Sequence, residues 1–503
     1  MLELVTELQS RGLRVEDNSF SRKGGAGPAE GKIFAVKNKV VNIPTGLPYA
    51  QKSPYSLISN NNKYFVACNN EIIQEIHILL RPIFFKCSTQ EGIPYNQIAL
   101  RHGRDCLAST VNQLCDNWRR NKQCMFCAIQ TSLQAGQTIA KKTPEQLAEV
   151  AEAAQRLDSI SHVVLTSGAS QKPRQDIWDL RDCVRLIKQR TQLPIHVQCL
   201  PPEDLSQLEI LQLAGVDSIG LHIETWDQKI WSIMAPAKAQ LGFDRYESAW
   251  KKAVELFGAN QVSSFLLAGL GESAESLVNG ADYLADLGVF PYIVPFRPIA
   301  GSKLEQCLPP SASYMREIYA AVAEILYCKG LQSLSNKAGC VRCGACSALD
   351  LFEKAHKKSV ICHRVRNRHE LEEAFAIRQQ VFVYEQNLFI DTDRDEYDHR
   401  SIHLVAIIDD SIIGTVRVYP LQDGLWIGGR LAVKQGFRDS RAGMMLVKEA
   451  MQTVKKKDAQ YFEAAIQEPN VPFFRRLGWQ ETGETVEFHG LVHQRMRADL
   501  QKV

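Results

Sequence analysis

No apolar run in the 503 residues approaches the ~20 consecutive residues that cross a bilayer. The start, MLELVTELQSRG, lacks the basic end and unbroken apolar stretch of a secretory leader, because Glu3 and Glu7 interrupt it. These absences place the protein in the cytoplasm and away from membranes. Blocks of one charge are missing as well. The 59 Lys and Arg are interspersed with 56 Asp and Glu for a net charge of +3, too mild a balance to make nucleic acid an expected partner. A disulfide scaffold is excluded by the compartment, so clusters among the fourteen cysteines read as metal sites. What remains is a soluble globular composition, 45% hydrophobic and 23% charged. At roughly 150 residues per domain the chain has room for several domains.

Eight cysteines (68, 87, 106, 183, 199, 307, 328 and 362) are scattered and read as small buried apolar residues. The other six form two sets. CDNWRRNKQCMFC carries Cys115, Cys124 and Cys127 as C-x8-C-x2-C. A structural zinc site closes with four ligands, whereas three thiolates suit a [4Fe–4S] cluster whose fourth iron binds something exchangeable. Phe126, beside the last cysteine, would shield such a cluster from water. Zinc with Cys106 as a distant fourth ligand is the alternative. GCVRCGACSALD brings Cys340, Cys343 and Cys346 together as C-x2-C-x2-C, which suits an auxiliary iron–sulfur site. Cys328 or Cys307 is its candidate fourth ligand. A zinc knuckle, a reactive thiol patch, or an open iron that holds substrate are the other readings.

From about residue 79 short apolar runs alternate with amphipathic stretches: LLRPIFFKC, HVVLTSG, PIHVQCL, SIGLHIET, VSSFLLAG and PYIVPFRP. Each has the length and bounding turns of a strand in a parallel sheet, and TPEQLAEVAEAAQRL has the cap and period of an intervening helix. About six strand–helix units give an α/β fold, a partial (β/α)6 TIM-type barrel. Chemistry collects at the C-terminal ends of such strands, where this sequence places TSG (166–168), HIET (222–225) and AGLGE (268–272).

With the three-cysteine motif, LHIETWD and AGLGES, residues 79–305 resemble a radical SAM core of the biotin synthase and lipoyl synthase type. The usual spacing there is C-x3-C-x2-C, so the eight-residue gap before Cys124 is a departure. The resemblance implies a [4Fe–4S] cluster that binds S-adenosylmethionine (SAM), cleaves it with one electron and starts radical chemistry. It implies a reductant such as flavodoxin or ferredoxin as partner. By motif matching, Ser167 and Gly168 would border the methionine amino group, Glu224 would bond the ribose, and Gly269 and Gly271 would let backbone approach the adenosine. His222 would face cofactor or substrate. RKGGAGPAEGK, CMFCAIQTSLQAGQTIAKKTPEQLAEVA, VPFRPIAGSKLEQCLPPSA and GCVRCGACSAL are similar to the radical SAM proteins of bacterial nitrilase gene clusters. That likeness implies nitrogen metabolism of a small-molecule substrate.

LFEKAHKKSV is a charged bridge, and a new pattern of strands begins near Ser359: HLVAIID, IIGTVRVYP and LWIGGRLAV, then FRDSRAGMMLVKEAMQTV, YFEAAI and PFFRRLGW. The order resembles the GNAT acyltransferase fold, an α+β domain with a mixed, mostly antiparallel sheet. It implies acetyl-CoA held by Val433, Arg438, Arg441, Ala442 and Gly443, with the pyrophosphate at a helix N-terminus. Arg441 replaces the usual first glycine, and Phe474 stands where many members place an acid tyrosine. Glu463 and His493 are the candidate acid and base, with Glu385 and His403 behind them.

The expected layout is an N-terminal extension over 1–78, the radical SAM core over 79–310, a segment with the auxiliary cysteines over 311–358 and the GNAT domain over 359–503. The expected function is a bifunctional small-molecule enzyme that couples SAM cleavage to N-acyl transfer. An Elongator-like tRNA wobble-uridine enzyme and a radical SAM enzyme with a non-catalytic acyl-CoA-sensing domain are the alternatives.

Overall fold

The structure is a computed structural model that describes the chain except residues 17–22, 24–28, 62, 358–359, 409, 423, 441, 489 and 503. Arg441, the glycine-rich stretch 24–28 and the end of the charged bridge at 358–359 therefore lie outside the described residues. The chain divides into two compact units, Met1–His356 and Lys357–Val503.

The first unit begins with a helix, Leu2–Arg11, and an antiparallel sheet of β1 (Gly31–Val36), β2 (Lys39–Pro44), β3 (Tyr55–Asn60), β4 (Lys63–Cys68) and β5 (Glu71–Ile78), in the order β2-β1-β5-β4-β3. A seven-stranded sheet follows: β6 (Leu100–His102), β7 (Cys106–Thr110), β8 (His162–Thr166), β9 (Ile195–Gln198), β10 (Ser218–Gly220), β11 (Val262–Ala268) and β12 (Val289–Pro295). β7 to β12 run parallel and in sequence order, and β6 joins the β7 edge antiparallel. This is the curled sheet of a partial β/α barrel.

The expected first strand, LLRPIFFKC, is not one. Ile83–Lys86 forms a short 3-10 helix after Pro82, and the first parallel strand is Cys106–Thr110. Its sequence, CLAST, is short and poor in β-branched and aromatic side chains, so propensity alone does not mark it. The helix Pro144–Asp158 starts on a capping box between Thr143 and Gln146, a pair that closes two of the free N–H groups of the first turn.

The parallel strands are buried on both faces, and the side chains that alternate between those faces decide where chemistry sits. Leu107, Val163, Leu165, Ile195, Val197, Ile219, Val262 and Leu266 point outward into one large apolar core shared with the helices. The residues between them face inward, and many are polar or small, among them Thr110, His162, His196, Gln198, Ser218 and Gly220, with Cys106, Ala108 and Val164 forming an apolar patch on the same side. An apolar outer face anchors the sheet, and a polar inner face is left for ligands.

The second unit is one mixed sheet, β13 (Ile361–Arg364), β14 (Ile402–Ile408), β15 (Ser411–Gln422), β16 (Leu425–Val433), β17 (Tyr461–Gln467), β18 (Trp479–Phe488) and β19 (Leu491–Ala498), in the order β13-β14-β15-β16-β17-β19-β18. All its pairs are antiparallel except β16 with β17. The helix Ala442–Lys455 buries Leu446, Val447, Ala450, Met451 and Val454 against the sheet.

Candidate functional site

The C-x8-C-x2-C loop leaves the C-terminal end of β7 and is clipped to the end of β8. Val111 N donates to Thr166 O at 2.8 Å, Gly168 N to Asn112 O at 2.8 Å, and Asp116 N to Ala169 O at 2.8 Å. The Gly168 requirement is steric, because a Cβ there would sit 2.2 Å from Leu114 O. Gly168 thus seats the strand end against the backbone one residue before Cys115. The Ser167 hydroxyl donates to Gly168 O at 3.2 Å. Cys124 and Cys127 are electrostatic neighbours of each other and of Cys115, and Phe126 packs its ring on the barrel core beside them.

Across the barrel mouth, Glu224 ends the β10 segment in the left-handed region, at φ +77°, which a non-glycine residue occupies only when its surroundings hold it there. They do so on both sides: Glu224 N donates to Phe265 O at 3.0 Å and Leu267 N donates to Glu224 O at 2.7 Å. Its carboxylate accepts from Lys238 Nζ at 2.6 Å, and the same ammonium donates to His222 O at 2.8 Å. Burial acts to lower the Lys238 pKa, but the Glu224 charge outweighs it and the group stays a cation. The Lys238 charge acts to lower the pKa of both Cys124 and Cys127 against the effect of burial, and sequence reasoning missed it. It sits in MAPAKAQ, on the four-residue helix Pro236–Ala239, where no spacing marks it.

Glu272, from AGLGE, is the tie between the two strand ends. Its carboxylate accepts from Trp226 N at 2.9 Å, Asp227 N at 2.8 Å and Ser276 Oγ at 2.7 Å, and from the Thr225 hydroxyl. Gly269 and Gly271, both at φ +104°, shape the turn that brings it there. Glu272→Ala is expected to lower stability by about 3 kcal/mol, since it orphans the buried Thr225 hydroxyl and two half-buried amides that made charge-assisted bonds. Chemical denaturation measures it, and a loss under about 1 kcal/mol would contradict the tie.

His222 stacks on Phe265 with ring centroids 3.9 Å apart, and its Nδ1 accepts from Phe265 N at 3.2 Å. Burial holds its pKa well below the ordinary histidine range, so the ring is neutral. Its Nε2 is buried without a hydrogen-bond partner, as are His196 Nε2, Thr110 Oγ1 and Tyr292 OH on the same inner face. Unsatisfied polar atoms gathered on one concave wall are what a bound polar molecule would satisfy. The sequence carried a signal for this wall: His162 and Thr166 in HVVLT, His196 and Gln198 in IHVQ, and Ser218, His222 and Glu224 in SIGLHIE fall on alternate positions, broken only by Val164 and Gly220.

The donor set also fits a soft metal. Burial raises Cys127 and pushes Cys124 up to about 12, so metal ligation is what would make both thiolates. Among the described residues no three His, Cys, Asp or Glu side chains close around a single ion.

The auxiliary cysteines take a different place. Residues 338–346 lie against the inner-face residues at the starts of the strands: Gly339 N meets His162 Nδ1 at 3.2 Å and Ser218 Oγ donates to Ala338 O at 3.2 Å. Cys307 and Cys328, the expected fourth ligands, are both exposed, Cys328 on the solvent side of the helix Ala312–Lys329. The groups beside Cys343 and Cys346 are His102 and Cys106 instead.

In the second unit β16 and β17 pair only from Leu425 to Ile427, after which they part and leave Gly428–Val433 unpaired on that side. Arg430, at φ +56°, lies where the β15–β16 register shifts, a bulge that turns the strand. Val433 ends β16, and Ala442 and Gly443 open the following helix, with Val433 Cγ2 4.0 Å from where a Cβ on Gly443 would sit. Arg438 forms an ion pair with Glu385, and its Nε donates to Val433 O at 3.3 Å. Glu463 lies opposite Ile427, where the strands are still paired, and accepts from Arg497 at 2.7 Å. His493 pairs with Gln467 and its Nδ1 is 2.9 Å from Leu491 O, so the structure does not bring the two candidate groups together. Phe474 is buried edge-on to Trp479, while Phe473 is the ring nearest Gly443.

A buried charge network braces this unit. Arg378 is fully buried and bonds Asp393 at 2.7 Å and Asp398 at 2.6 and 3.0 Å, while Arg417 joins Asp398 to Asp395 and Arg430 reaches Asp393 O at 3.0 Å. Although burial opposes it, the guanidinium groups hold the Asp398 and Asp395 carboxyls below their ordinary range. With the folded pKa depressed, the stabilisation is full above about pH 4 and is lost as pH falls through the folded values, because the unfolded chain takes up protons first. Acid titration below pH 4 is expected to lower the melting temperature of this unit steeply, and a flat profile there would contradict it.

Residues 121–284 match the Radical SAM superfamily and residues 369–500 match an acetyltransferase (GNAT) domain. The chain is 22% identical over 253 residues to bacteriochlorophyllide c C-7(1)-hydroxylase of Chlorobaculum limnaeum, covering 46% of this chain and 63% of that protein. It is 29% identical over 136 residues to the uncharacterized N-acetyltransferase YjcF of Bacillus subtilis, covering 27% of this chain and 96% of the relative. A putative N-acetyltransferase structure from Lactobacillus plantarum is similar at 22% identity and a TM-score of 0.27, covering 28% of this chain and 99% of that one. Among the described residues no helix is long and apolar enough to cross a membrane. The chain thus carries one stretch that matches the Radical SAM superfamily and a later one that matches an acetyltransferase (GNAT) domain, and it spans 63% of the length of the hydroxylase it resembles.

Proposed function

We propose that the first unit cleaves SAM reductively, that the second moves an acyl group from acyl-CoA to an amine, and that both act on one small nitrogen-containing metabolite. The observation that carries the reading is that the loop bearing Cys115, Cys124 and Cys127 is clipped to the end of β8 while the Glu224–Lys238 pair closes the end of the β10 segment, both at the C-terminal side of the same sheet. When bound, an iron–sulfur cluster on these cysteines supplies the electron that breaks the sulfonium bond. The chain's own part is to hold and to dry. Gly168 and the clips to β8 seat the cysteine loop, and Glu272 locks the facing strand ends. Lys238 offers a buried cation beside the site, and neutral His222 turns an unpaired Nε2 inward.

In the second unit the parted strands leave backbone N–H and C=O groups of β16 free to align the pantetheine arm, and the amine would attack the thioester carbon in the same wedge. The absence of a phenol at Phe474 and the engagement of Glu463 favour a second reading for this unit, in which it binds acyl-CoA as a sensor. The protein with reductant and SAM should give methionine and 5′-deoxyadenosine. With acetyl-CoA and an amine panel it should release CoA thiol. Acetyl-CoA binding without thiol release from any amine would favour the sensor, and no SAM turnover would overturn the first half.

A further inference from the structure

At the other end of the barrel, the cysteines at 340, 343 and 346 have a partner that their sequence neighbourhood does not contain. His102 ends the edge strand β6 and is buried. Its Nε2 lies 3.2 Å from Cys346 Sγ and its Nδ1 lies 3.7 Å from Cys343 Sγ, so one imidazole touches two of the three thiols. The chain is shaped for that approach. Gly103 follows at φ +61°, and a Cβ on it would sit 2.4 Å from Cys343 Sγ. A side chain there would push the cysteine away from the histidine.

The surroundings treat these sulfurs as acceptors. Asn42 Nδ2 is 3.7 Å from Cys346 Sγ and Gln198 Nε2 is 3.6 Å from Cys340 Sγ, each an amide donor on a different strand. The loop itself is held by the N-terminal sheet, with Asn42 N on Ala345 O at 2.8 Å and Lys39 Nζ on Gly344 O at 2.7 Å. Amide donors aimed at thiolates, on backbone fixed from a second sheet, are the outer support that cluster ligands need.

We propose that Cys340, Cys343, Cys346 and His102 form a four-donor site for a second iron–sulfur cluster, with His102 as the ligand that closes it. This rests on reading the three cysteines as an iron–sulfur site. Four protein donors leave no open iron for substrate, so this cluster serves structure or electron transfer while substrate meets the other end of the barrel. A histidine in place of a fourth cysteine also raises the reduction potential relative to an all-cysteine site.

The test uses the full chain carrying Cys124→Ala and Cys127→Ala, reconstituted anaerobically, so that the iron retained belongs to the second site. About four irons per chain are expected. Pulsed EPR of the reduced protein should show a directly bonded nitrogen, whose coupling changes on 15N-histidine labelling. That labelling needs no further substitution and so does not depend on a variant folding. His102→Ala should remove the coupling, and His102→Cys should keep the iron and lower the potential. Iron without a bonded nitrogen overturns the assignment of His102 while the cluster stands; Cys106 is then the donor if Cys106→Ser loses iron. No retained iron overturns the cluster reading of these cysteines and the proposal together.

Discussion

Cys124→Ala with Cys127→Ala is expected to abolish SAM cleavage and to halve the iron content, from an expected total of about eight irons per chain to about four. The two thiols lie three residues apart on one loop and are electrostatic neighbours of each other and of Cys115. Cleavage should fall to the uncatalysed background, because no side chain of the protein can supply the electron. Cys115→Ala should fall to the same level. The wide gap from Cys115 to Cys124 is bridged by the short helix Asp116–Arg119, and the clip of Asp116 to Ala169 fixes Cys115 at its start. Iron content with product analysis reads both effects. Retention of all the iron in the double variant would place the cluster elsewhere.

Arg378→Met is expected to cost the second unit about 3–5 kcal/mol, the range for breaking a buried ion pair from one side. The methionine fills most of the space but leaves Asp393, at 1% side-chain exposure, and Asp398, at 10%, without their fork of donors. The expected fall in melting temperature for a unit of this size is about 10 °C or more. Arg475→Ala is the control. Its partner Glu481 bonds it at 2.7 Å, but Arg475 is 61% exposed, and such surface pairs contribute at most about 1 kcal/mol. Calorimetry of the two variants separates the cases, and equal shifts would show that the buried network contributes no more than a surface pair.

The parts of the site that come from short, local patterns were legible in the sequence. TSG, HIET and AGLGE do close β8, the β10 segment and β11, and the three-cysteine loop does follow a strand of the same sheet. Gly168 shows the limit of that legibility: its position was visible, but its reason, contact with Leu114 O, depends on a loop packed from elsewhere. The same holds for Lys238, for His102 and for Arg438, whose partners are 14, 241 to 244 and 53 residues away in sequence. The first strand was misplaced because LLRPIFFKC has stronger side chains for a strand than CLAST, and Pro82 turns it into a 3-10 helix. The inner polar wall was legible and overlooked, since the alternation of His162, His196 and His222 with apolar neighbours is a period-two pattern.

The most direct test of the account is EPR of the anaerobically reduced full-length protein with and without SAM. A [4Fe–4S] signal that SAM shifts, and that the Cys124→Ala, Cys127→Ala variant lacks, is the predicted result. Zinc in place of iron, or an iron signal indifferent to SAM, would contradict the radical reading and leave the GNAT unit as the source of chemistry.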